Sequence, residues 1–117
     1  MRYMLLIYGD EREWTELGED ESAAEMTKWA AYSEEIGAEG ILRGGDALHP
    51  TAAATTVRVR DGQVQVTDGP FAETREQLGG YYLLECDTLD QAIEAARRIP
   101  SFGTGSLELR PIMEFDA

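Results

Sequence analysis

Cysteine, histidine and basic side chains are all scarce in this chain, and each scarcity excludes a class of function. With Cys86 as the single cysteine no internal disulfide can form, which suits a reducing cytoplasm. Cys86 and His49, the single histidine, lie too far apart in sequence to make a zinc set. The acids of GDEREWTELGEDE lack the spacing of a calcium loop. GTGS leads into a strand rather than a helix, so no phosphate-cradling loop is present. These absences leave no metal and no cofactor to expect. No apolar run approaches the roughly 20 residues of a membrane span. The short one in MRYMLLIYGDE is followed by no small-residue cleavage site, and it reads as a strand rather than a signal peptide.

Ten Lys and Arg stand against 23 Asp and Glu, for a net charge of −13. Residues 1–40 alone hold eleven acids against Arg2, Arg12 and Lys28. Such a field repels phosphate backbones and anionic membranes, so neither nucleic acid nor membrane is an expected partner. The acidic surplus reads as a solvated surface that keeps the chain soluble. What the chain does have is apolar material: 43% of its 117 residues are hydrophobic, enough for the core of one domain spanning 1–117. Repeats, linkers and low-complexity stretches are absent.

Periodicity supplies the elements. RYMLLIY is apolar on both alternating faces, as a strand covered on two sides would be. An acidic loop is expected from Gly9 to about Glu21. Ser22 and Glu25 then have the spacing of a capping box, with Met26, Trp29, Ala30, Ser33 and Gly37 at helical intervals behind it. Gly37 or Gly40 can end that helix in a left-handed conformation. GILRGGDAL reads as a strand stopping at Gly44-Gly45. TTVRVRDGQVQVT is two alternating runs joined by Asp61-Gly62, the preferred pair for a type I′ hairpin turn. That turn sets Val59 opposite Val64 and Val57 opposite Val66, with Arg58, Arg60, Gln63, Gln65 and Thr67 on the wet face. GGYYLLEC is a further strand apolar on both faces. In TLDQAIEAARRIP, Thr88 can cap with Gln91, and Leu89, Ala92, Ile93 and Ala96 form the stripe. Pro100 stops this helix, and Arg97 and Arg98 suit its C-terminal dipole. The loop SFGTGS leads to a last strand in LELRPIMEF.

The order strand, helix, strand, hairpin, strand, helix, strand is that of an α+β, ferredoxin-like split βαβ with an inserted β-hairpin. Two helices bury only one sheet face, yet two strands are apolar on both. The second face therefore calls for a second copy of the chain, and a homodimer is expected.

MRYMLLIYGDE, ATTVRVRDG, TDGPFAETREQLGGYYLLE and ELRPIMEF, in that order, resemble the YCII-related proteins over nearly the whole chain. More narrowly they resemble the branch named after its Asp-Gly-Pro-Phe motif, here Asp68 to Phe71. The resemblance implies a dimeric α+β barrel. It also implies a regulatory context, because some members lie beside or are fused to extracytoplasmic-function sigma factors. Some YCII relatives are lyases or dehalogenating enzymes with a proposed His-Asp pair in the dimer cleft. Their histidine lies early, after the first strand, whereas residues 1–48 here contain none.

His49, in a loop after the second strand, and Asp46, three residues before it, are the available proton-shuttling pair. The bland reading of His49 is a surface loop residue. Asp68 is the stronger candidate, either as an Asx-turn accepting from backbone amides two or three residues on, or as an acid or base aimed at the cleft between subunits. If AETREQ forms a helical turn, Glu73 and Glu76 share a side. Arg75 would then pair with one of them or hold a substrate carboxylate by two prongs. Gly79 and Gly80 allow a bulge or leave room for a ligand. Tyr8 and Tyr81 or Tyr82 can supply aromatic walls, with core packing as the alternative. Two functions follow: a cleft binding a small polar ligand, and, as the alternative, a small-molecule enzyme of lyase or dehalogenase type with Asp68 as acid or base.

Overall fold

The apolar run after Met1 becomes β1 (Arg2–Gly9), the inner strand of a four-stranded antiparallel sheet in this computed structural model, which describes residues 1–100 and 103–115. β1 pairs on one side with β5 (Gln77–Glu85) and on the other with β6 (Ser106–Pro111). β2 (Leu42–Ala47) closes the far edge, giving the order β2-β5-β1-β6. The chain is thus mixed α+β. Two long helices, α2 (Glu19–Ala38) and α3 (Leu89–Arg97), share a core with one sheet face. Tyr3, Leu5 and Leu84 of the sheet meet Tyr32 and Ile36 of α2 and Ala92, Ala95 and Ala96 of α3 there. Of the loop SFGTGS, Ser101 and Phe102 lie outside the described residues.

Several elements depart from the sequence reading, each for a local physical reason. The stretch Gly9–Glu21 is not all loop: Arg12–Thr15 form a short helix, α1, and α2 begins at Glu19. Ser22 therefore lies inside the helix, its amide bonded to Gly18 at 2.9 Å, and the capping box does not form. Glu19, Asp20 and Glu21 in the first turn suit the positive end of the helix dipole without a side-chain cap. The inward stripe of α2 runs through Trp29, Tyr32 and Ile36, whereas Met26, Ala30 and Gly37 are exposed. At the C-terminus, Gly40 takes φ +80° and the Ile41 amide reaches back to the Ile36 carbonyl at 3.2 Å, a Schellman ending.

β2 runs straight through Gly44-Gly45 rather than stopping there, with its register shifted between Leu42 and Gly44. In α3, Ala95 replaces Leu89 in the buried stripe, and Leu89 is exposed. The Thr88 cap forms as expected, accepting from the Gln91 amide at 3.2 Å. β6 ends at Pro111, earlier than LELRPIMEF suggested.

β3 (Thr55–Arg60) and β4 (Gln63–Asp68) pair only with each other, in the expected register. Asp61 at φ 53° and Gly62 at φ 74° supply the two left-handed residues of a type I′ turn. This hairpin stands off the sheet. The radius of gyration is 16.3 Å, against roughly 13 Å for a compact chain of this length. The thinnest extent, 20 Å, is that of one helix layer on one sheet. The other sheet face, carrying Met4, Leu6, Tyr8, Tyr81 and Leu83, takes no part in the core.

Candidate functional site

The polar groups gather where β1 ends and β5 and β6 begin. β1 delivers Asp10 and Arg12 to this rim. Both Arg12 Nε and Nη2 donate to Asp10, the latter at 2.6 Å, and the Arg12 amide adds a bond of 3.0 Å. This hydrogen bonding from Arg12 holds the Asp10 carboxyl down at about 2. Next in sequence, Glu11 anchors the neighbouring connections. Its carboxylate accepts from the Thr51 hydroxyl at 2.6 Å and the Thr51 amide at 3.0 Å, and its own amide donates to Gln77 Oε1 at 2.9 Å. Across the rim, Glu13 accepts from Thr104 and Glu76 accepts from Ser106, at 2.8 and 2.9 Å. A cleft of about 570 Å³ opens among Asp10, Arg12, Thr74, Arg75, Glu76, Gln77 and Thr104.

Arg75 and Glu76 are the two sequence candidates that reach this cleft. Residues 71–76 form bends and no helical turn, so Glu73 and Glu76 do not share a helix face. Thr74 and Gln77 bond within the segment instead: the Thr74 hydroxyl donates to the Glu76 carbonyl, and Gln77 Nε2 to the Thr74 carbonyl. Among the described residues Arg75 pairs with neither glutamate, and Glu76 accepts from Ser106 instead. Arg12, by contrast, is already committed to Asp10. Among the described residues Arg75 is thus the cleft's uncommitted cation.

Asp68 sits elsewhere, at the root of the hairpin, exposed and outside the cleft lining. Its carboxylate accepts no backbone amide among the described residues, so the Asx-turn is not what holds the bend. The hairpin's first strand does that. The Gly69 amide, at φ +101°, donates to the Ala54 carbonyl at 2.7 Å, and the Thr56 hydroxyl donates to the Gly69 carbonyl at 2.7 Å. Arg58 donates to the Phe71 carbonyl at 2.5 Å. Phe71 is 72% exposed.

His49 and Asp46 do not pair. Asp46 accepts from the Tyr81 hydroxyl at 2.7 Å, and that bond raises the Tyr81 phenol above its ordinary range. His49 is exposed in the loop before Pro50. Tyr81 and Tyr8 belong to the bare sheet face. Tyr82 instead points among the helices, stacked on Trp29 at 6.4 Å and bonded to Ser33 at 2.8 Å. Gly79 forms the expected bulge, the register shifting opposite Ile7 and Tyr8, and the Trp14 ring lies where its Cβ would be, at 3.0 Å.

Sequence reasoning missed Asp10, Arg12, Thr74, Gln77 and Thr104. The first two fell inside what reads as an acidic loop. The available signal was GDER, an acid two residues before an arginine directly after a strand. A second hollow of about 440 Å³, lined by Ile93, Ala96, Arg97, Leu107 and Leu109, is apolar and offers little to orient a polar ligand. No three His, Cys, Asp or Glu side chains converge to hold a metal among the described residues. Nor is any described helix long and apolar enough to cross a membrane.

The sequence of this chain matches the YCII-related domain family over residues 1–116. The chain belongs to the YCII-related family. It is also similar to an uncharacterised protein of Rhizobium meliloti (strain 1021), 40% identical over 114 residues, which span 96% of this chain and 92% of that one. In this YCII-related chain the Asp10–Arg12 pair gives a direct test of the rim's electrostatics. In Arg12→Gln, the Asp10 titration followed by NMR is expected to move from about 2 up towards the ordinary value of 3.8. Because the folded-state value is depressed, the pair's contribution is complete above the ordinary range and is lost as pH falls towards 2. Wild type should therefore lose it over that acid window, and Arg12→Gln, which keeps only the residue-12 amide bond to Asp10, should show a smaller loss.

Proposed function

We propose that this chain is a homodimeric binding domain that holds a small, polar, anionic molecule in the cleft at the rim of the sheet. The observation that carries the reading is the cleft itself, with Arg75 as its uncommitted guanidinium beside Thr74, Gln77 and Thr104. A guanidinium fork recognises a carboxylate by two parallel bonds, and neighbouring hydroxyl and amide groups then fix the rest of the molecule. Asp10 and Glu76 on the same wall select against a second anionic group and favour a ligand with hydroxyl or amine donors.

The finer fold belongs to the same proposal. The order β2-β5-β1-β6 with α2 and α3 as crossovers is that of a ferredoxin-like split βαβ. A face bearing Met4, Leu6 and Leu83 is suited to being covered by a second copy, as a dimeric α+β barrel requires. A titration of small carboxylates and hydroxy acids, followed by thermal shift and calorimetry, tests the binding role. A carboxylate should raise the wild-type midpoint with concentration, and Arg75→Gln should bind it at least about tenfold more weakly, as loss of a charged hydrogen bond does. Equal affinity in Arg75→Gln, or no response to any carboxylate in wild type, overturns the reading.

A second reading keeps Asp68 as acid or base of a lyase-like or dehalogenase-like reaction. What favours it is a carboxylate with no hydrogen-bond partner among the described residues, on a turn whose backbone Thr56 holds in place. Asp68→Asn would abolish turnover there while leaving carboxylate binding at Arg75 intact.

A further inference from the structure

The hairpin made of β3 and β4 presents Val57, Val59, Val64 and Val66 on one face, each between 61% and 67% exposed. Opposed in pairs, they form a continuous apolar strip on an arm about 20 Å long. Monomeric proteins seldom leave such a patch bare, and a two-stranded ribbon is marginal in water without something to pack on. Among the described residues nothing supplies that packing: the hairpin forms its own sheet, and its valines are outside the core.

We infer that the hairpin is a docking arm whose valine face is covered by the bare sheet face of a second copy of this chain. This rests on the homodimer proposed above and adds to it the element that makes the grip. Three observations favour a second copy over an unrelated partner. The same chain carries the complementary flat apolar surface, Met4, Leu6, Tyr8, Tyr81 and Leu83, uncovered by its own helices. A two-fold arrangement buries arm and face twice over, which brings an arm of this size to the area that stable interfaces need. Charge agrees. Residues 55–68 carry Arg58 and Arg60 against Asp61 and Asp68, net 0, leaving the whole −13 on the rest of the chain. Two bodies of this charge repel, and the arm is the segment that can approach the other copy without that penalty.

The arm also bears on Asp68. The Asp-Gly-Pro-Phe turn is the arm's root, and both Asp68 and Phe71 are exposed in one chain. Docking of the arm places this turn at the subunit boundary, so the surroundings of Asp68 are completed by the second copy.

Light scattering and sedimentation on the full chain, with two pairs of variants, test the arm separately from the dimer. Wild type should run at twice the 13.0 kDa chain mass at micromolar concentration. Val59→Lys/Val64→Lys, at positions that solvent already reaches in one chain, should keep the circular dichroism spectrum. Its dimer dissociation constant should rise at least about thirtyfold, the factor for loss of an interface hot spot. A photo-crosslinking side chain at Val59, with the other valines intact, should link mass-labelled copies at Met4, Leu6, Tyr81 or Leu83. If the lysine variant dimerises like wild type while Leu6→Lys is monomeric, the sheet-face dimer stands and the arm does not. Crosslinks that fall only between the valines of two arms also overturn it. A monomeric wild type overturns both.

Discussion

Gly45→Val is expected to detach β2 from β5 and to cost about 3 kcal/mol, at the upper end of what overpacking does. A Cβ at Gly45 would stand 2.7 Å from the Tyr81 carbonyl oxygen, 2.8 Å from the Tyr82 ring and 3.2 Å from the Tyr82 Cα. Two of those atoms are backbone of the neighbouring strand, so no side-chain movement relieves the contact. The strand itself must shift, and with it the Asp46–Tyr81 hydrogen bond. Gly44 is the internal control, since a Cβ there meets nothing within 4 Å. Gly44→Ala should stabilise the fold in urea denaturation by about 0.4–1 kcal/mol, because at an open strand position alanine only removes glycine's extra unfolded-state freedom. Equal losses in the two variants would show that the close approach at Gly45 is not what requires glycine.

Leu5→Ala is the second large effect, expected at about 3–4 kcal/mol. Leu5 is fully buried in the inner strand, opposite Tyr82 on one side and Leu109 on the other, beneath the two helices. Deleting its side chain leaves a void that β1, clamped between β5 and β6, cannot collapse to fill. Its neighbour Leu6 points to the bare face. On the proposed dimer, in which a second copy covers Leu6, Leu6→Ala should lose stability in a manner that depends on protein concentration, whereas the Leu5→Ala loss should not. Chemical denaturation at two concentrations separates the pair. Identical concentration dependence would mean that both faces are closed within one chain.

Much of the fold is legible in the sequence because the deciding interactions are local. Asp61-Gly62 dictates the hairpin, since two successive left-handed residues leave the flanking strands one register. Thr88 and Gln91 start α3 at the expected residue, and the two-sided apolar pattern of RYMLLIY marks the inner strand. The misreadings share a cause. Ser22 and Glu25 have capping spacing, but three acids and Gly18 upstream allow a start one turn earlier, and a helix takes every residue it can. In α2, alanines on several sides blur the apolar stripe, so Trp29, Tyr32 and Ile36 define it only once the sheet lies beneath them. Gly44-Gly45 looks like a stop and is a place where two strands come too close for a side chain.

The candidate site was less legible. Arg75 and Glu76 stand out by their company, but Asp10, Arg12 and Thr104 do not. Asp10 and Thr104 lie more than ninety positions apart in the chain. Their meeting follows from β1 being flanked by β5 and β6, so that the end of one strand faces the beginnings of the other two.

By itself, then, the sequence determined the elements that close on near neighbours: turn, cap, strand pattern and the need for a cover on a second sheet face. Tertiary structure alone decided which charges meet and which remain uncommitted. It tied Arg12 to Asp10, gave Asp46 to Tyr81 rather than to His49, and left Arg75 on the cleft wall with no ion-pair partner among the described residues. The physical reason is range. Turn and helix preferences are settled within a few residues by backbone geometry and local hydrogen bonds. An ion pair or a cleft exists only after sheet pairing has brought distant segments to within a few ångströms of each other.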